Sequence, residues 1–332
     1  MDSKKRDASL DAVKGFTILL VMLGHVLVLN RINDPILYDW IKAVQMPLFM
    51  MVAGYLCGMG HKAENVRDYG RMVKKRAVSY MLPFFAWTLV FHLDDFTWAF
   101  PAYLEQPERG LWFLLTLFVL TVMVYTAQLF GSLAEKRSRV LGKTMFWVVY
   151  GILAVVVYLQ NRAGIPWFGP HLTKMYIPYY MAAYVYGCYQ EQVNRRVKPA
   201  VRYVLSAAGG IFCLAVVLTQ DMMVMRGAAD YVVQTLASFG GCISVFAVFY
   251  RLKDGKCRQF LSWLGQYTLE IYSIHYHFAR ILNRGTLDFQ VYSPKWFGFA
   301  AASFCVMAVL SAAVIWTAKR FRITNFLLYG KK

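Results

Sequence analysis

Residues 10 to 29 read LDAVKGFTILLVMLGHVLVL, an apolar run with Asp11 and Lys14 at its front and a single histidine, His25, further along. A helix of about 20 apolar residues covers a bilayer core about 30 Å thick. Lipid offers the backbone no hydrogen bonds, so only helices and closed barrels cross it, and barrel strands alternate in polarity with a period of two. This run does not alternate, so it reads as a membrane helix. Nine more stretches of the same character follow, at 41–60, 77–93, 111–130, 144–160, 175–190, 202–219, 231–250, 260–279 and 297–318. The expected fold is all-α, a polytopic membrane helix bundle of about ten transmembrane helices.

Composition agrees. Only 16% of the 332 residues are charged and 58% are hydrophobic, against about 25% charged in soluble domains. The net charge of +18 does not point to nucleic acid, because Lys and Arg lie between apolar stretches instead of covering one face of a polar domain. Their placement is a topology signal, since basic loops are retained in the cytoplasm. The N-terminus, the connectors after the second, fourth, sixth and eighth stretches with the flanking Arg202 counted to the sixth, and the C-terminus hold 3, 6, 4, 4, 4 and 5 basic residues, and the other connectors with their flanks hold nine in all. Both termini are therefore expected inside the cell, N-in and C-in, in a multi-pass protein of the inner cell membrane. The charged front Met1 to Asp7 resembles that of a secretory signal, but the run continues through Asn30-Arg31 without a small-residue cleavage site, so it reads as a retained helix.

No repeat or linker divides the chain, so residues 1–332 read as a single integral membrane domain. The longest outward connectors, 94–110 and 280–296, have room for short interfacial helices. Five of six cysteines fall in apolar segments with no CxxC spacing and read as small buried hydrophobes. His275 and His277 lie about 200° apart on a helix, and no HExxH pattern occurs, so no metal is expected.

Titratable groups inside a bilayer cost about 2.5 to 3.5 kcal/mol at a helix centre and mark functional sites by default. Lys14 and His25 share a helix face about 16.5 Å apart along the axis, and Asp11 is within pairing reach of Lys14. His25 reads either as a packing histidine or as a general base. Glu270, near the middle of the ninth stretch, reads equally as a structural partner or as part of the chemistry. Six basic residues in the fifteen from Lys62 to Arg76 exceed what topology requires, and a phosphate-bearing ligand or anionic lipid headgroups would use the excess. The stripe Tyr176, Tyr180 and Tyr184 reads as core packing more readily than as a sugar cavity.

Together these motifs resemble integral membrane acyltransferase family 3, the O-acyltransferases of bacterial cell-surface carbohydrates. Lys14 and His25 fit its pattern of a basic residue, ten residues, then His, and Leu10 to Gly15 resembles its LDxLRG element. Met46 to Tyr55 is similar to PLFFxxSGY, with Ala53 in place of Ser. Leu111 to Leu114 matches LWFL, and Leu264 to His275 resembles LGxxSLxIYxxH. The family's RxxR motif has no full counterpart, because Arg76 is followed by Ser79 and Arg71 by Lys74 at the required spacing.

The resemblance implies a cytoplasmic acyl-CoA donor, acetyl-CoA first, and a carbohydrate hydroxyl acceptor on the far side. It implies His25 as general base, Lys14, Arg71, Lys75 and Arg76 at the donor, and Asp11, Glu270 and His275 as supporting polar groups. Tyr55 and Trp112 are expected at the acceptor, with membrane lipids as surroundings and no nucleic acid partner. A polysaccharide or lipid-linked sugar transporter or flippase is the rival expectation. Transporters commonly show inverted halves, and no such symmetry is visible here.

Overall fold

The computed structural model describes residues 7–32, 34–222, 224–283 and 290–331. Among them the chain forms fourteen α-helices and no strand: α1 (Ala8–Leu29), α2 (Pro35–Gly58), α3 (Val66–Arg76), α4 (Leu82–Phe91), α5 (Phe96–Glu105), α6 (Trp112–Glu135), α7 (Arg139–Arg162), α8 (Pro170–Arg196), α9 (Pro199–Thr219), α10 (Ala228–Arg251), α11 (Lys256–Leu264), α12 (Thr268–Phe278), α13 (Pro294–Arg320) and α14 (Arg322–Tyr329). Seven of these, α1, α2, α6, α7, α9, α10 and α13, are long and apolar enough to cross a membrane. Helix starts follow local chemistry. The Asp7 carboxylate accepts the Ser9 and Leu10 amides at 2.9 and 3.2 Å, and Asn65 and Ser138 cap α3 and α7 in the same way.

Three of the ten expected stretches take a different form. Residues 77–93 divide into a π turn, Ala77–Met81, and the short α4. The Leu82 amide bonds the Ala77 carbonyl five residues back. Pro83 has no N–H with which to continue the α ladder, and the wider turn accommodates the gap. Residues 175–190 lie inside α8, which has the length to span but carries too many tyrosines to be as apolar as the others. Residues 260–279 are broken at Gly265-Gln266-Tyr267, where Gln266 and Tyr267 bond carbonyls three residues back, at 3.1 and 2.9 Å.

The chain divides into two compact units, one of Met1–Val52 with Tyr189–Thr317, the other of Ala53–Cys188 with Ala318–Lys332. In the first unit α1 packs against α10, α11 and α12, and α9 packs on α10. Helix contact in lipid relies on small residues that let backbones approach. A Cβ on Gly15 of α1 would overlap the Leu261 carbonyl, and one on Gly265 would overlap the Asp11 carbonyl, so α1 lies directly on the break between α11 and α12. Such a break is tolerated at membrane depth where protein covers it.

In the second unit α6 packs on α7 and α3, while α14 packs on α4, and Phe84, Leu104 and Leu115 form a buried core. Connector 94–110 carries α5, as the sequence leads one to expect; 280–296 lies partly outside the described residues. Cys57, Cys213 and Cys242 are buried as expected, whereas Cys257 and Cys305 are exposed. Cys257 sits in the first turn of α11, and Cys305 lies on α13, one of three helices that present apolar surface outward. Helix α7 is the extreme case: 17% of its most apolar window is buried, and Trp147, Ile152, Val155, Val156 and Leu159 stand exposed. Each such side chain forgoes about 1.5 to 3 kcal/mol of burial in water but nothing in lipid, which identifies α7 as a lipid-facing helix.

Gly265→Ala is expected to lower stability by about 1 to 3 kcal/mol through overpacking against α1. Gly151→Ala on α7, where a Cβ meets nothing within 4 Å, is expected to be neutral or to stabilise by up to about 1 kcal/mol. Thermal unfolding of the two variants in detergent reads the difference.

Candidate functional site

Helices α1 and α12 run side by side in the same direction. At one end Gly15 meets the break beside α12. At the other end Asn30, just past α1, donates from Nδ2 to the Val26 and Ala279 carbonyls, both at 2.8 Å. Asn283 Nδ2 donates to the Asn30 carbonyl at 3.3 Å, and Trp296 Nε1 to the Ile32 carbonyl at 2.7 Å, which ties the end of α1 down further. Two helices pinned at both ends have a fixed register, and that register brings two histidines together.

His25 Nδ1 lies 2.8 Å from His275 Nε2. The rings overlap at 4.9 Å between centroids, and Tyr276 meets the His25 ring edge-on at 5.2 Å. The tautomers follow from the third partner. His275 Nδ1 is 2.8 Å from the Ile271 carbonyl, which can only accept, so this nitrogen carries the proton. His275 Nε2 is then an acceptor, and His25 Nδ1 donates to it. The remaining nitrogen, His25 Nε2, keeps its lone pair. His25 is oriented by a second imidazole that is itself oriented by the backbone, an arrangement of the kind general-base catalysis uses. His275 is buried, and His25 is half-buried.

The remaining expected residues of this unit lie on the same helices, Lys14 and Asp11 at the other end of α1, Lys14 about 16.5 Å from His25 along the axis. Lys14 Nζ pairs with Asp11 Oδ1 at 2.5 Å, as their spacing suggests. Glu270 is fully buried on α12, just over one turn before His275. Among the described residues no three His, Cys, Asp or Glu side chains converge as a metal site would require.

In the second unit the basic residues separate into two kinds. Arg71 and Lys75 stand exposed on α3, and Arg71 pairs with Asp68 at 2.7 Å. Arg76, one position further on, turns inward. Its Nε donates to the Tyr125 hydroxyl at 3.1 Å and its Nη1 to the Tyr80 hydroxyl at 3.2 Å, with the guanidinium carbon 5.7 Å from the Tyr80 ring centroid. No carboxylate among the described residues pairs with it by these contacts. A cation held by neutral phenols retains its attraction for an anion. Sequence reasoning singled out Arg76 but missed Tyr80 and Tyr125; the Arg–Tyr spacing of four residues is the one local signal.

The tyrosine stripe of α8 is packing. Tyr180 bonds Thr121 at 3.0 Å, Gln128 Nε2 donates to Tyr184 at 3.1 Å, and Tyr176 stacks on Trp112 at 5.6 Å. Tyr55 stacks on Tyr186 at 5.8 Å, so Tyr55 and Trp112 find different ring partners.

The fold is that of a many-helix membrane protein in which two histidines are joined across α1 and α12. Residues 7–316 match the family model described as an acyltransferase domain. The chain belongs to integral membrane acyltransferase family 3 and is a membrane acyltransferase. It is 38% identical over 91 residues to the nodulation protein NolL of Sinorhizobium fredii (strain NBRC 101917 / NGR234), an overlap of 26% of this chain and 24% of that protein. The chain thus matches about a quarter of this relative's length. No solved structure matches it. These likenesses lend nothing to a transporter.

His275→Phe keeps a ring against His25 but removes the acceptor for its Nδ1 proton. Acyl transfer is expected to fall about 5- to 150-fold, since a lost buried hydrogen bond costs about 1 to 3 kcal/mol. The check is initial rate per mole of folded protein, and full activity in this variant would remove His275 from the site.

Proposed function

We propose that the protein moves an acyl group, acetyl in the first instance, from cytoplasmic acyl-CoA to a hydroxyl of a cell-surface or lipid-linked carbohydrate. The observation that carries the reading is the His25–His275 bond backed by the Ile271 carbonyl. The family supports acyl transfer, and the carbohydrate acceptor rests on the motif resemblance. In this mechanism His25 Nε2 takes the proton from the acceptor hydroxyl as its oxygen attacks the thioester carbonyl. The tetrahedral intermediate collapses, the carbon–sulfur bond breaks, and the CoA thiolate leaves and recovers a proton from the His25 imidazolium. Ester and free CoA are the products, and the base returns to its starting state.

Lys14, Arg71, Lys75 and Arg76 are the donor-binding residues of this proposal, with Tyr55 and Trp112 at the acceptor and Asp11, Glu270 and His275 in support. Arg76 is the strongest of the donor set, because its contacts are two phenols and no carboxylate. Lys14 is already neutralised in part by Asp11. We further read all ten apolar stretches as crossings of the inner cell membrane with both termini in the cytoplasm, the α11–α12 break and the α4 segment included. The alternation of basic connectors supports that orientation.

Labelled acetyl-CoA and acceptor glycan supplied to wild-type and His25→Ala vesicles test the chemistry. Wild type is expected to transfer label, and the variant to lose about 10²- to 10⁴-fold, the usual contribution of a general base, with donor binding kept. A loss below tenfold would mean His25 is a packing residue. For the donor, Arg76→Ala is expected to weaken acetyl-CoA binding, whereas Asp11→Ala spares it; unchanged affinity in Arg76→Ala removes that residue from the donor site.

A further inference from the structure

Arg76 ends α3, and its grip depends on where Tyr80 points, because Tyr80 lies inside the π turn Ala77–Met81. A π turn holds one more residue than an α turn, and relaxing it would rotate Tyr80 by about 100° relative to α4. Something must therefore keep the wide turn in place. Pro83 removes one competing hydrogen bond, but it does not hold the turn from outside.

Helix α14 does. Trp87 on α4 donates from Nε1 to the Leu328 carbonyl at 3.0 Å, and Tyr329 is buried with its ring 6.1 Å from that of Trp87. The chain then hooks at Gly330, which takes a left-handed conformation with φ of 62°. Its amide bonds the Phe326 carbonyl at 2.8 Å, and Asn325 Nδ2 donates to the Lys331 carbonyl at 3.1 Å, which closes the hook. The hook presses on the π turn so closely that a Cβ on Gly330 would overlap the Val78 carbonyl and come within 3.0 Å of Ser79 Cα. Val78 and Ser79 are the two residues immediately before Tyr80.

The geometry points to α14 and its Gly330 hook, latched by Trp87, as a positioning element for the donor site, one that holds the π turn so that Tyr80 aims the Arg76 guanidinium at the donor phosphates. This rests on Arg76 being a donor residue. Trp87 and Gly330 touch no substrate in this account; they act through the turn. Loosening them weakens the grip on phosphate and leaves recognition of the thioester arm alone.

The test measures binding of two donors to the full-length protein in detergent, acetyl-CoA and the phosphate-free acetyl-pantetheine, for wild type, Trp87→Phe, Gly330→Ala and Arg76→Ala, with a melting curve for each. Trp87→Phe keeps the ring and loses the bond to Leu328, and acetyl-CoA affinity is expected to fall about fivefold, the equivalent of one modest hydrogen bond. Gly330→Ala is expected to lose at least as much. Acetyl-pantetheine affinity should not change in either. Equal loss for both donors, or unchanged acetyl-CoA affinity in both hook variants while Arg76→Ala weakens it, overturns the positioning role. Unchanged acetyl-CoA affinity in Arg76→Ala itself brings down the donor reading instead, and the proposal with it.

Discussion

A polar group inside a bilayer has no water to turn to, so every one must find a partner in protein, and the pairing it finds restricts what the helices around it can do. In this chain the consequence is concentrated where α1 meets α11 and α12. Gly15 and Gly265 bring backbone against backbone, and Asn30 ties the far ends together. Between those two pins His25 and His275 have a fixed separation, and the Ile271 carbonyl sets which nitrogen holds the proton. The orientation and tautomer of His25 thus follow from helix packing.

The second unit meets the same constraint with a cation. An arginine turned in from the surface helix α3 needs acceptors, and Tyr80 and Tyr125 supply them without cancelling its charge. A carboxylate in their place would neutralise the guanidinium and leave little attraction for a phosphate. The π turn, Pro83 and α14 belong to one local solution. The turn presents Tyr80, Pro83 disfavours a regular helix there, and the C-terminal hook covers the turn's backbone.

Much of this was legible in the sequence. The run from Leu10 to Leu29 declares a membrane helix, and its period places Lys14 and His25 on one face with Asp11 beside Lys14, where the ion pair is found. The motif around His275 could be recognised, but not its bond to His25. Those residues are 250 positions apart, and their contact depends on a helix register that only the Gly15 and Gly265 contacts and Asn30 determine. The break at Gly265 was hidden because hydropathy does not register an interruption that another helix covers. The π turn was hidden likewise: a proline in the first turn of a helix usually signals only a start. The six basic residues before helix α4 looked alike in the sequence, yet Arg76 alone turns onto phenols while Arg71 and Lys75 face outward.

His25 presents an unprotonated Nε2 because its Nδ1–H donates to His275 Nε2. Solid-state nitrogen NMR of protein labelled at histidine, assigned by single His25 and His275 substitutions, observes this directly. At neutral pH the expected result is a neutral His25 protonated at Nδ1 and a neutral His275 also protonated at Nδ1, with a coupling between His25 Nδ1 and His275 Nε2. A His25 protonated at Nε2, or a charged His25, would contradict it.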